Sequence, residues 1–191
     1  MKELWIVDEP KREIEFCQKC SNRCFMHCYG FIKKEGAVKA IIYEYMCNGT
    51  LNEYIEKIDP VFSLLTVTRL FEGLEFLYSK RLVHRDLKPT NILLDHNFLP
   101  YISDFETIRD PQTDEPMTCN LGSLLYSSPE QDKNEYISFP TDIYSFCLII
   151  YFLYEKKNFH SQNPYEFVMI VIGRCCIYNI MFSHEIEYGF R

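Results

Sequence analysis

The chain reads as an α+β protein in which a small β-rich part precedes a larger, mainly helical part. Three observations carry that reading. Residues 24–46 hold two β-rich runs separated by a Lys-Lys-Glu-Gly turn. Residues 61–80 repeat apolar side chains at helical spacing. Residues 141–154 are apolar on every side, the pattern of a helix buried all round.

Pro10 opens the first helix, of about three turns, with Glu13 and Glu15 near its beginning and Ile14, Cys17, Cys20 and Ser21 along one face. Two β-rich segments follow, Cys24 to Ile32 and Val38 to Met46, the first read as a strand over Phe25 to Phe31. Thr50 and Glu53 form a capping-box pattern and predict a helix start. Asn48-Gly49-Thr50, formally a glycosylation sequon, is more simply a turn and that cap. From Val61 to Lys80, Leu64, Val67, Leu70, Phe71, Leu74 and Leu77 predict one long amphipathic helix. Ile92–Asp95 and Leu99–Ile102 read as short strands joined by a turn at His96-Asn97. Residues 104–130 are polar and loop-like, with Pro111 and Pro116 excluding regular structure. Thr141 is placed as the cap of the buried helix.

At 191 residues, 47% hydrophobic and 16% aromatic, the chain has enough apolar surface for a packed domain. A net charge of −7 argues against nucleic acid as a partner, because phosphate binding wants clustered Lys and Arg. Met1 to Pro10 mixes charges and does not read as a leader. The apolar run from Ile143 to Leu153 is too short for a bilayer, which takes about twenty residues. A cytoplasmic protein with reduced thiols is therefore expected. Cys17, Cys20, Cys24, His27 and Cys28 have spacings that admit a zinc site, but cysteines packed as small core side chains are the preferred reading.

The chemistry concentrates in His84-Arg85-Asp86-Leu87-Lys88-Pro89-Thr90-Asn91. Asp86 can orient a hydroxyl and accept its proton, Lys88 can neutralise charge on a transferring phosphoryl group, and Asn91 can hold a metal ion. Thirteen positions after Asn91 stands Asp104, in Asp104-Phe105-Glu106. The intervening hairpin has the length to bring Asn91 and Asp104 together, as a shared metal site needs.

The segment 84–91 resembles the catalytic loop of eukaryotic protein kinases, and Asp104-Phe105-Glu106 resembles their Asp-Phe-Gly motif with Glu in place of Gly. Gly122 to Glu130 resembles the end of the activation segment, with Ser-Pro-Glu for Ala-Pro-Glu. Asp142-Ile143-Tyr144-Ser145-Phe146 resembles the start of the family's central helix, and Asn163 to Val168 the start of the next. The resemblance covers about residues 10–172 and implies a kinase-like α+β fold with a partial β-rich N-lobe over 1–45, a mainly α-helical C-lobe over 46–172 and an atypical tail over 173–191.

It further implies ATP and Mg²⁺ as cofactors, with Asp86 and Lys88 catalytic, Asn91 and Asp104 holding the metal, and Glu44, Met46 and Leu93 around adenine. Glu13 takes the position of the family's ion-pair glutamate, Tyr43 that of the residue at the back of the adenine pocket, and Asp142 that of the anchor for the catalytic loop. Cys17, Cys28, His84 and Phe105 form the regulatory stack. Lys88 and Ser123 fit the serine/threonine type, and Thr107, Thr113 and Thr118 are candidate phosphosites. No Gly-rich phosphate loop and no Val-Ala-x-Lys strand precede Glu13, Lys2 stands only eleven positions before it, and no arginine is evident to pair with Glu130. The expected function is ATP-dependent phosphoryl transfer to Ser or Thr hydroxyls of a protein substrate. The alternative is a pseudokinase that binds a signalling partner, and a zinc-binding interaction protein ranks third.

Overall fold

A computed structural model describes residues 2–3, 11–112, 125–132 and 137–156. The expectations for Pro10, Thr113, Pro116, Thr118, residues 122–124 with Ser123, the helix start at 163–168 and the tail from 173 lie outside them.

A three-stranded antiparallel sheet takes the order β1-β3-β2, with β1 at Lys2–Glu3, β2 at Cys28–Lys34 and β3 at Ala37–Tyr43. The β2–β3 hairpin turns at Glu35 and Gly36, whose φ angles of 54° and 83° are the paired left-handed values of a two-residue hairpin. β1 was not anticipated in the sequence; two residues carry no periodicity, and it exists only through its pairing of Lys2 with Ile41 and Glu3 with Ala40.

Helix α1, Lys11–Lys19, buries Glu13 and Phe16 and leaves Cys17 half-buried, so its inward face lies one step from the expected Ile14–Cys17 line. The strand expected from Phe25 begins at Cys28 instead. Residues 24–26 pair with a different partner: Met26 N–H donates to the Ile102 carbonyl at 2.9 Å, and Ile102 N–H to the Cys24 carbonyl at 2.8 Å. The Phe25 ring, buried against Phe16, Phe76 and Phe105, drives this detour.

The capping box at Thr50 and Glu53 forms, with Thr50 N–H on Glu53 Oε2 at 2.8 Å and Glu53 N–H on Thr50 Oγ1 at 3.2 Å. The α-helix it predicts does not. Leu51 N–H is drawn to the Ile92 carbonyl at 2.8 Å. Pro60 then holds Asp59 extended, so only turns and a 3₁₀ segment, Ile55–Lys57, fit between.

Helix α2, Pro60–Ser79, is capped by Asp59, whose carboxylate accepts from Phe62 N–H at 2.8 Å. Its buried line runs through Ser63, Thr66, Leu70, Gly73, Leu74 and Leu77, leaving Leu64 exposed where the sequence placed it inside. Gly73 lets the next hairpin approach: a Cβ there would lie 2.6 Å from Ile102 Cδ1. That hairpin pairs β4, Ile92–Leu94, with β5, Pro100–Ile102, as expected. Asp95 closes its turn by accepting from Asn97 and Leu99 N–H, both at 2.8 Å.

A short helix α3 spans Pro129–Asp132. The central helix α4, Phe139–Glu155, is buried nearly throughout, and it starts one turn earlier than expected. Ser138 is the cap, with its N–H donating to Thr141 Oγ1 at 3.4 Å, so Thr141 sits in the first turn. Helices α2 and α4 pack together, and one core joins Phe16, Leu70, Leu77, Phe105, Phe146 and Phe152. Among the described residues no helix is long and apolar enough to cross a membrane.

Candidate active site

Residues 84–91 hang between α2 and β4 as a loop without ladder bonds of its own, so side chains must hold its backbone. Asp142, buried in the first turn of α4, accepts from His84 N–H at 2.7 Å and Arg85 N–H at 2.8 Å. Burial pushes its carboxyl above the ordinary aspartate value, against the opposing pull of His84 and the two N–H groups. His84 is fully buried, and its Nε2 bonds the Ser103 carbonyl at 2.9 Å, tying the loop to the segment that carries Asp104. The anchor role expected of Asp142 matches this geometry.

The expected catalytic and metal-binding side chains converge. Asn91 Nδ2 donates to the Asp86 carbonyl at 2.8 Å, to Asp86 Oδ2 at 2.9 Å and to Asp104 Oδ2 at 3.3 Å. Its amide nitrogen is thereby committed, and its side-chain Oδ1 is the atom a cation would meet. Lys88 Nζ lies 2.6 Å from Asp86 Oδ2, an ion pair with both side chains largely buried. Asp104 has φ 66° and ψ 66°, a left-handed conformation uncommon for a residue with a side chain, and it opens the 3₁₀ segment Phe105–Thr107. Ser103 N–H donates to the Asn91 carbonyl at 2.9 Å, as does Ser103 Oγ, so the two metal-site segments are laced together.

Hard oxygen donors on Asp104 and Asn91 suit a small divalent cation, which usually keeps one or two protein ligands and completes its shell with phosphate oxygens and water. No cluster of three or more His, Cys, Asp or Glu that could hold a metal occurs among the described residues. Cys24 is buried and Cys17, Cys20 and Cys28 are half-buried thiols, with Cys24, Cys17 and Cys20 in the packing around α1. Glu106, standing where the resembling motif has glycine, is exposed and lacks a positive φ, so its backbone conformation does not demand glycine. Its carbonyl accepts from Arg109 Nη1.

Just after β3, Glu44 N–H donates to the His27 carbonyl at 2.8 Å and the Met46 carbonyl accepts from Gly49 N–H at 3.3 Å. Leu93 lies half-buried in β4, bridged to Thr50. At the end of β3, Tyr43 Oη donates to Glu13 Oε1 at 2.7 Å and lies 3.2 Å from Cys17 Sγ, while its ring meets Phe105 edge-on at 5.9 Å. Burial, with Cys17 and Glu13 alongside, holds the Tyr43 phenol far above its usual range. The sequence marked Glu13 and Tyr43 separately but missed that they bond to each other.

A family model described as protein kinase domain matches residues 2–187. A G-type lectin S-receptor-like serine/threonine-protein kinase of Oryza sativa subsp. indica is 34% identical over 146 residues, 72% of this chain and 18% of the relative. A protein of the same description from Arabidopsis thaliana is 35% identical over 156 residues, 75% of this chain and 18% of the relative. A rust resistance kinase of Triticum aestivum is 35% identical over 133 residues, 61% of this chain and 21% of the relative. The chain spans about a fifth of the length of these curated relatives. With the matched model covering nearly all of its length, and the catalytic-loop geometry beside it, the chain belongs to the protein kinase family.

Proposed function

We propose that this chain binds ATP with Mg²⁺ and transfers the terminal phosphoryl group to a Ser or Thr hydroxyl of a protein. The observation that carries the reading is the convergence of Asp86, Asn91 and Asp104 through one amide nitrogen, at 2.8 to 3.3 Å. Asp86 would orient the substrate hydroxyl and take its proton. Lys88, already beside Asp86 Oδ2, would place positive charge near the transferring group. Asp104 Oδ1 or Oδ2 and the side-chain Oδ1 of Asn91 would hold the metal, which when bound neutralises phosphate charge. The Glu44 carbonyl and Met46 N–H would read the adenine edge, with Leu93 beneath it. Division into an N-lobe over 1–45, a C-lobe over 46–172 and an atypical tail over 173–191 belongs to the same proposal. The names of the relatives, serine/threonine-protein kinases, support the hydroxyl class.

Labelled-phosphate transfer from Mg-ATP to a Ser/Thr peptide mixture tests it, with Asp86→Asn expected to lower the rate by about 10²–10⁴-fold. Transfer that persists undiminished in Asp86→Asn contradicts the assignment. A second reading, a binding module that performs little transfer, is favoured by Glu106: its exposed carboxylate adds negative charge two residues from Asp104. Nucleotide binding without transfer by the parent chain selects that reading.

A further inference from the structure

We infer that Gln131 is a positioning residue for Asp86, coupling the end of the activation segment to the catalytic loop. The inference rests on the phosphoryl-transfer reading. Arg85, immediately before Asp86, has φ 74°, a left-handed conformation that a residue with a Cβ resists. Such a residue keeps that shape only where its surroundings over-determine it. Here both polar groups of Arg85's backbone are held by side chains. Its N–H donates to Asp142 Oδ1 at 2.8 Å, and its carbonyl accepts from Gln131 Nε2 at 2.7 Å. Fixing the two peptide planes that flank this residue sets the direction in which the chain delivers Asp86.

The other atom of the same amide faces the activation segment. Gln131 Oε1 accepts from Ser128 N–H at 3.1 Å and lies 3.4 Å from Ser128 Oγ. Ser128 is fully buried and Gln131 is 5% exposed, so water does not compete. The Gln131 amide offers a donor and an acceptor on one planar group; glutamate has two acceptors and leucine neither. Helix α4 closes the arrangement from a third side. Asp142 holds the loop, while Thr141 Oγ1 donates to Glu130 Oε1 at 3.1 Å, one residue before Gln131. Displacement of Ser128 is thereby transmitted to the Arg85 carbonyl and to Asp86.

The test compares the parent chain with Gln131→Glu and Gln131→Met. It reads kcat and KM for ATP and for a Ser/Thr peptide, the thermal midpoint, and amide hydrogen exchange over residues 84–86. Gln131→Glu keeps an acceptor for Ser128 but sets an oxygen against the Arg85 carbonyl; Gln131→Met removes both bonds at similar volume. Expected is a fall in kcat of about 10- to 100-fold with KM for ATP unchanged, and exchange at 84–86 faster by about tenfold. Unchanged exchange at 84–86 in whichever variant folds overturns the inference, as does a lowered midpoint with kcat at the parent level. A parent chain that transfers no phosphate refutes the phosphoryl-transfer reading, and exchange at 84–86 still decides whether Gln131 holds the loop.

Discussion

Asp142 and Arg85, separated by 57 positions in sequence, are joined by a 2.8 Å hydrogen bond from the Arg85 peptide N–H to the Asp142 carboxylate. The neighbouring His84 N–H uses the second oxygen of the same carboxylate at 2.7 Å. One buried side chain on the central helix thus determines where the catalytic loop begins. Asp142→Asn turns an amide N–H toward one of these donors and leaves a buried peptide group unpaired. A loss of about 3 kcal/mol is expected, measured by urea unfolding.

Tyr43 and Glu13 supply a second contact of the same kind. Glu13 is 2% exposed, and the Tyr43 hydroxyl donates to it at 2.7 Å. Tyr43→Phe preserves the ring packing on Phe105 and removes only the hydroxyl. The expected cost is about 1–3 kcal/mol in urea unfolding, and a variant as stable as the parent would show that Glu13 does not depend on the phenol.

Glu130 was expected to lack its family partner, since no arginine was evident for it. The structure gives it the hydroxyl of Thr141, a fully buried residue in the first turn of α4, at 3.1 Å. Thr141→Val keeps the shape and deletes the donor. A destabilisation of about 1–2 kcal/mol is expected, and Glu130→Gln in the Thr141→Val background should add little beyond it, which a double-mutant cycle measures.

Cys24 gives a pH signature. Burial pushes its thiol from 9.0 up to about 11, with Arg69 pulling the other way. The folded state therefore holds this proton more tightly than the unfolded chain. Its contribution to stability is fully present below pH 9.0 and is lost as pH rises through about 11. At pH 8 an alkylating reagent should modify the exposed Cys47 at least about a hundredfold faster than the buried Cys24, read by peptide mass mapping. Comparable rates would contradict the burial.

The catalytic loop, the β4–β5 hairpin and both long helices were legible because each is written locally. Loop residues sit at fixed offsets, Asp95 and Asn97 make their own turn, and Leu70, Leu74 and Leu77 recur at helical spacing. What was not legible depends on partners distant in sequence. β1 exists only because β3 lies beside it. Phe25 left its expected strand for Ile102, and the capping box at Thr50 could not start an α-helix once Leu51 was claimed by Ile92. Leu64 looked like core by its spacing, but no element covers that side of α2 among the described residues. In the site, Asp86, Lys88, Asn91 and Asp104 were all marked in advance. Gln131 was not, because a single glutamine in a short helix carries no pattern until its two partners are seen.

The central claim is that Asp104 and Asn91 form a working metal–nucleotide site in this chain. The thermal midpoint with and without Mg-ATP tests it most directly, in the parent and in Asp104→Ala. At nucleotide about tenfold above its dissociation constant, binding to the folded state adds about 1.4 kcal/mol, a rise of about 3–6 °C for a domain of this size. That rise, dependent on the metal and lost in Asp104→Ala, is the expected result. A folded parent whose midpoint does not move with Mg-ATP, or an Asp104→Ala chain that responds as the parent does, would contradict it.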